Sequence, residues 1–261
     1  MGGAARMLRW GAGSGAALAA LFAGELCWAA FRPLPTMTGL DASGLVSADV
    51  DGPPLRVVAL GDSSLTGPGL THADHVWLRV GLGLVGHDRP IELMSLAVGG
   101  SRAVDVARQV EGALAVEPDL VVLAVGANDA LRGTPRRLFR TDLDRLIGRL
   151  LADVPVVAVA NVGDLGNIAR VPRPLDALFR ARAMLVCSII EEVVASRDRA
   201  VLIDVTAADH VFRDRSVFTP DLFHPGPVGH AAWADASLPG LRRAVDLALS
   251  LRANSVVTSA P

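Results

Sequence analysis

Past residue 54 the chain alternates between short, largely apolar runs and longer segments of mixed polarity. The apolar runs are Leu55–Leu60, Ile91–Val98, Leu120–Val125, Val154–Ala160 and Ala200–Val205, all rich in Val, Leu or Ile. A strand with one wet face alternates polar and apolar residues, whereas continuous apolar runs of this length fit strands buried on both faces of a parallel sheet. Between them, residues 75–86, 102–116, 135–152, 174–197 and 227–250 predict helices. In the third of these, Leu138, Leu143, Leu146, Ile147 and Leu150 recur near helical spacing, with Arg and Asp between them. Strand–helix alternation over residues 55–252 predicts a doubly wound, three-layer α/β/α sandwich around a mostly parallel five-stranded sheet. No internal repeat or low-complexity tract interrupts it.

The flanks read differently. From Trp10 to Phe31 the chain is almost entirely Ala, Gly, Leu, Phe and Trp, with Arg6 and Arg9 ahead of it and Arg32 behind. That is about the length needed to cross a bilayer, and the leading arginines predict an N-terminus kept inside with the rest exported. Residues 1–32 are therefore expected to be a signal peptide or an uncleaved membrane anchor, the catalytic domain lying outside the cytoplasm. Cys27-Trp28-Ala29 makes an imperfect cleavage site, and Glu25-Leu26 ahead of Cys27 does not fit a lipobox. Residues 33–54 carry Pro, Thr, Ser, Gly and Asp without periodicity and read as a linker. Residues 253–261 read as a tail.

Composition narrows the function. The 261 residues are 51% hydrophobic but only 4% aromatic, with no Tyr, so the core is built mostly from Ala, Val and Leu. A net charge of −2 offers no basic face for nucleic acid. The two cysteines, Cys27 and Cys187, make no disulfide framework, and no Cys/His spacing would hold zinc. Cys187 reads as a small buried residue in a helix. No metal or organic cofactor is expected.

In a doubly wound sheet the ligand site lies beyond the carboxyl ends of the strands. The residues that follow the first four runs include Gly61-Asp62-Ser63-Ser64, Gly99-Gly100-Ser101, Gly126-Ala127-Asn128-Asp129 and Asn161-Val162-Gly163-Asp164. A serine nucleophile needs a base, an orienter for that base and donors for the oxyanion. Ser63 follows the first strand directly. Asp221-Leu222-Phe223-His224 places a carboxylate and an imidazole three residues apart, on one face of a helical turn. The Asn128 amide, just past a strand, suits an oxyanion. Gly100 permits close backbone approach and can offer its N–H. Read singly, each of these segments is also an ordinary turn or a helix cap.

Taken in order, Gly-Asp-Ser, then Gly, then Gly-x-Asn-Asp, then Asp-x-x-His resembles the SGNH hydrolase family, also called GDSL-type lipases and esterases, over roughly residues 55–250. The resemblance implies a serine acyl-hydrolase acting on esters. Ser63 would be the nucleophile, His224 the general base and acid, and Asp221 the orienting carboxylate. Ser63 N–H, Gly100 N–H and the Asn128 side chain would form the oxyanion hole, with Gly99 as the alternative to Gly100. The sequence departs from the family at Ser64, which replaces Leu, and at Ser95, which stands where many members carry Asn. The Gly-x-Ser-x-Gly elbow of α/β-hydrolases is absent around Ser63, where Leu65 occupies the last position. The substrate is expected to be a small-molecule, lipid or acylated-sugar ester. Cell-envelope O-acetylesterase and lysophospholipase are alternatives within the fold, and a non-catalytic envelope-binding protein is the alternative outside enzymology.

The remaining candidates read as structural. His72 and His75 suit surface or capping positions, His230 packing in the last helix, and His87 and His210 loops. Asp62 is expected to hold its turn and Asp129 to cap its own segment. The long connection from Asn161 to Pro174 is expected to shape the acyl or alcohol pocket, or to be surface loop.

Overall fold

A computed structural model describes residues 17, 19–24, 27–28, 35–46, 51–86 and 89–258. The expected membrane segment and His87 therefore lie wholly or largely outside the described residues. No helix among those described is long and apolar enough to cross a membrane.

The strands are β1 (Gly44–Val46), β2 (Leu55–Gly61), β3 (Ile91–Ser95), β4 (Leu120–Ala124), β5 (Val156–Ala160) and β6 (Ala200–Ile203). They form one sheet in the order β1-β3-β2-β4-β5-β6. All pairs are parallel except β1–β3, so the five predicted strands are joined by a sixth at the edge. Successive side chains of a strand point to opposite faces. In β2, Val58 and Leu60 enter one core and Val57 and Ala59 the other. That is why these runs are apolar at most positions on both faces.

The sixth strand lies within the segment that reads as a linker. Three residues are too few to show periodicity, and a single side chain secures them. The Arg79 guanidinium donates to the carbonyls of Ala42, Ser43 and Leu45 and pairs with Asp74. The Ser43 hydroxyl accepts from Ser95 N at 2.9 Å, tying the strand to the end of β3.

Beyond residue 51 the α-helices among the described residues are α1 (Ser63–Thr66), α2 (Trp77–Val85), α3 (Ala103–Val106), α4 (Val110–Leu114), α5 (Ala127–Arg132), α6 (Arg136–Asp153), α7 (Leu175–Ala195) and α8 (Pro227–Thr258). The cores place α2 and α8 on one face of the sheet, and α3, α4, α6 and α7 on the other, completing three layers. The last helix runs to Thr258, beyond residue 253 where a tail was expected. The helix predicted over 102–116 is broken by a 3-10 turn at Ala107–Gln109.

From β2 the chain crosses to β3 on one side and then to β4 on the other. The strand order thus reverses at β2, and a crevice opens above its carboxyl end, the position at which such sheets bind ligands. Ser63 occupies the first turn past that end.

Candidate active site

The turn between β2 and α1 is set by backbone geometry. Gly61 has φ +148°, and a Cβ there would lie 2.0 Å from the Ala124 carbonyl oxygen of β4, so only glycine allows the approach. The Gln109 side chain clamps the same residue. Its Oε1 accepts from Gly61 N at 2.9 Å and its Nε2 donates to Gly61 O at 3.2 Å. The break in the helix after β3 brings Gln109 to this buried position, and no local sequence pattern marks it.

Asp62 then caps α1, its Oδ1 accepting from Ser64 N at 2.9 Å. Its Oδ2 accepts from Asn128 Nδ2 at 3.2 Å, so Asp62 does more than hold its own turn. The carboxylate is 3% exposed. Burial pushes its pKa above the ordinary value, against the opposing hydrogen bonds from Ser64 and Asn128.

Asp221 and His224 meet as the sequence implies, but not on a helical turn. They lie in a loop closed by a bridge between Phe218 and Pro225. Leu222 takes a left-handed conformation, φ +58°, and this bends the loop back on itself. Asp221 Oδ1 accepts from the Thr219 hydroxyl and from the N–H groups of Phe223 and His224. Its Oδ2 lies 2.6 Å from His224 Nδ1. Burial raises the Asp221 pKa, but the bonds from His224, Thr219 and Phe223 outweigh it and hold the carboxyl below its ordinary range. The carboxylate therefore stays charged beside the imidazole.

Ser63, Gly99, Gly100, Asn128 and His224 line one open groove of about 670 Å³. Among the described residues, the N–H groups of Ser63, Gly99 and Gly100 have no acceptor. A Cβ on Gly99 would lie 3.8 Å from Ser63 Cβ, whereas one on Gly100, φ +81°, would meet Arg132. Both glycines thus remain candidate donors, Gly99 being the one that faces the Ser63 side chain. Ser63 and His224 both line this groove, and no hydrogen bond joins their side chains. Ser95, the departure from the family pattern, lines the same groove, and Ser64 lines a second cavity beside it.

One other residue is placed differently from expectation. Asp129 caps α3 rather than its own segment, Oδ2 accepting from Ala103 N at 3.0 Å. Asn161 bridges β5 and β6, its Nδ2 donating to Asp204 and its Oδ1 accepting from Val205 N. Others are as expected. His72, His75 and His210 are exposed. Cys187 is buried with its Sγ on the Val162 carbonyl, and desolvation pushes the thiol up to about 11.

His230 is fully buried in α8, accepting from Trp77 N on Nδ1 while its Nε2 has no partner. Desolvation, then the positive potential of His224 and His75, lower its pKa to about 3. The folded chain thus binds its proton less readily than the unfolded chain. The stability this contributes is fully present above about pH 6.5 and is lost as pH falls toward the folded value, at up to about 1.4 kcal/mol per pH unit. His230→Asn keeps an acceptor for Trp77 and has no proton to gain. Chemical denaturation between pH 6.5 and 4 is expected to show a shallower loss of stability in the variant than in the native chain.

Comparisons with known proteins agree with the fold. The GDSL-like Lipase/Acylhydrolase family model matches residues 59–232. A GDSL-like esterase of Mycobacterium tuberculosis is 30% identical over 199 residues, covering 73% of this chain and 63% of that protein's length. An esterase from Pseudoalteromonas superposes with a TM-score of 0.59 at 17% identity, covering 74% of this chain and 99% of the other. An acetyl xylan esterase from Geobacillus stearothermophilus does so with a TM-score of 0.54 at 18% identity, covering 73% and 95%. At such identities these two structures speak for the fold, while the family match covers most of the chain and every motif from Gly61 to His224. The chain belongs to the GDSL-like lipase/acylhydrolase family.

Proposed function

We propose that the protein is a serine hydrolase of carboxylic esters, with Ser63 as nucleophile, His224 as general base and acid, and Asp221 as its orienter. One observation carries the reading. The groove beside Ser63 gathers unbonded backbone N–H groups, the Asn128 amide and an imidazole whose other nitrogen is held by a charged carboxylate.

Asp221 takes the Nδ1–H of His224 and leaves Nε2 as the base. Ser63 Oγ attacks the ester carbonyl carbon while Nε2 takes its proton. The resulting oxyanion receives hydrogen bonds from Ser63 N–H, Asn128 Nδ2 and Gly100 N–H, with Gly99 N–H the alternative. Collapse breaks the bond to the leaving oxygen, which receives the proton from Nε2 and departs as the alcohol. Water then attacks the Ser63 ester with His224 again as base, releasing the carboxylic acid and restoring Ser63. The leading arginines and the apolar run Trp10–Phe31 support an exported site for this chemistry. Recovery of the full-length chain from the soluble cytosolic fraction would overturn that placement.

A fluorophosphonate probe tests the nucleophile. Peptide mapping is expected to find the phosphonyl group on Ser63, and Ser63→Ala to remove the label. Label retained at full strength in the variant would sink the assignment.

A further inference from the structure

Beside the open groove lies a second, more enclosed cavity of about 120 Å³, reached past Ser63, Asn128 and His224. It runs sideways over the ends of β4, β5 and β6. Its floor is formed by Ala124 and Ala160, the paired last residues of β4 and β5. The void exists because both positions carry only a methyl group. Val205, Phe212 and Trp233 also line it, the last two packed together with ring centroids 5.1 Å apart.

Most polar side chains in this wall are engaged elsewhere. Asn161 is spent on Asp204 and Val205 N. Asp164 is held by Gly166 N and Arg180, and Asp209 by Asp164 N. Trp233 Nε1 is unpartnered but sealed from solvent, so the indole offers the cavity its carbons. A sugar hydroxyl would find few free partners there, the second oxygen of Asp209 among them, and would lose its water on entry. An alkyl chain loses nothing and gains about 0.8 kcal/mol per buried methylene.

Resting on the esterase reading above, we infer that this cavity takes the acyl chain of the substrate, and that the enzyme prefers saturated acyl groups of medium length. The open groove on the other side of Ser63 is left to the alcohol. Neighbouring strands lie about 4.8 Å apart, so the path from β4 to β6 spans about 10 Å, the length of an extended chain of about eight carbons. Ala160 sets the bore of the cavity and Phe212 its end.

The test is a p-nitrophenyl ester series from acetate to dodecanoate, with the full-length chain. The kcat/KM is expected to rise about fourfold per added methylene and to level off near octanoate. In Ala160→Leu the octanoate-to-acetate ratio is expected to fall by about 100-fold, the range seen when a pocket loses room for part of a chain. Phe212→Ala, which opens the end of the cavity, is expected to move the other way and raise dodecanoate relative to octanoate. This keeps the inference testable if Ala160→Leu does not fold. Turnover of acetate with no gain from longer chains, or ratios unmoved in a folded variant, overturns the acyl assignment and leaves the esterase reading standing. No turnover of any ester by the native chain overturns both.

Discussion

Asp221→Asn is expected to lower kcat on p-nitrophenyl acetate by about 10⁴, the cost of the same change in other Ser-His-Asp triads. The reason lies in the two oxygens of Asp221. Oδ1 organises the loop, accepting from Thr219, Phe223 and His224, and an asparagine oxygen can do the same. Oδ2 faces His224 Nδ1 at 2.6 Å, and there an amide presents N–H in place of an acceptor. The imidazole then turns Nδ1 into the acceptor and carries its proton on Nε2, where it cannot receive one from Ser63. The loop should survive while the base is lost. A thermal midpoint close to the native one with kcat down by this factor is the expected pair of results. A folded variant within tenfold of native would mean that Asp221 does not orient the base. The acid side follows the same logic. Asp221 is held below its ordinary pKa, so its stabilising contribution is full above that ordinary value and is lost only as pH falls through the depressed one.

What the sequence made legible follows from the reach of each signal. The strands were readable because β2, β4 and β5 are buried on both faces, and burial on both faces leaves few polar positions, Arg56 among them, to blur the run. Ser63, Asn128, Asp221 and His224 could be picked out as candidates because they fall in three short blocks that stand in a recognisable order. The residues that hold them could not. Gln109 reaches Gly61 across 48 positions, and Asp62 meets Asn128 across 66. Such contacts depend on which strands become neighbours, and neither apolar period nor turn chemistry encodes that. Strand β1 escaped for the opposite reason: it is too short to have a period, and its place depends on the Arg79 side chain from another element. The pairing of Asp221 with His224 was anticipated from their spacing, yet the spacing works through a left-handed Leu222 and a closed loop rather than a helical turn.

Asp62→Asn is the second large effect expected, and it separates positioning from folding. Asp62 receives one N–H from Ser64 and one from Asn128, and its lack of any hydrogen fixes which way the Asn128 amide lies. With Nδ2 held against Asp62, its other N–H is free for the oxyanion. An asparagine at 62 still accepts from Ser64 through its oxygen, but its own NH₂ then faces the Asn128 NH₂. Relief comes by turning the Asn128 amide over, which puts a carbonyl oxygen where the oxyanion donor was. The loss of one oxyanion donor lowers kcat by about 10²–10³, with KM little changed, because the interaction matures only in the transition state. Stability should not fall with it at neutral pH. The native carboxylate is buried and its pKa is raised by desolvation, so the charged form opposes folding above the ordinary carboxylate range, and a neutral amide removes that opposition. The kinetic and denaturation measurements on one variant therefore give opposite signs if Asp62 acts through Asn128. A loss of stability in step with the loss of kcat would instead make Asp62 an ordinary helix cap.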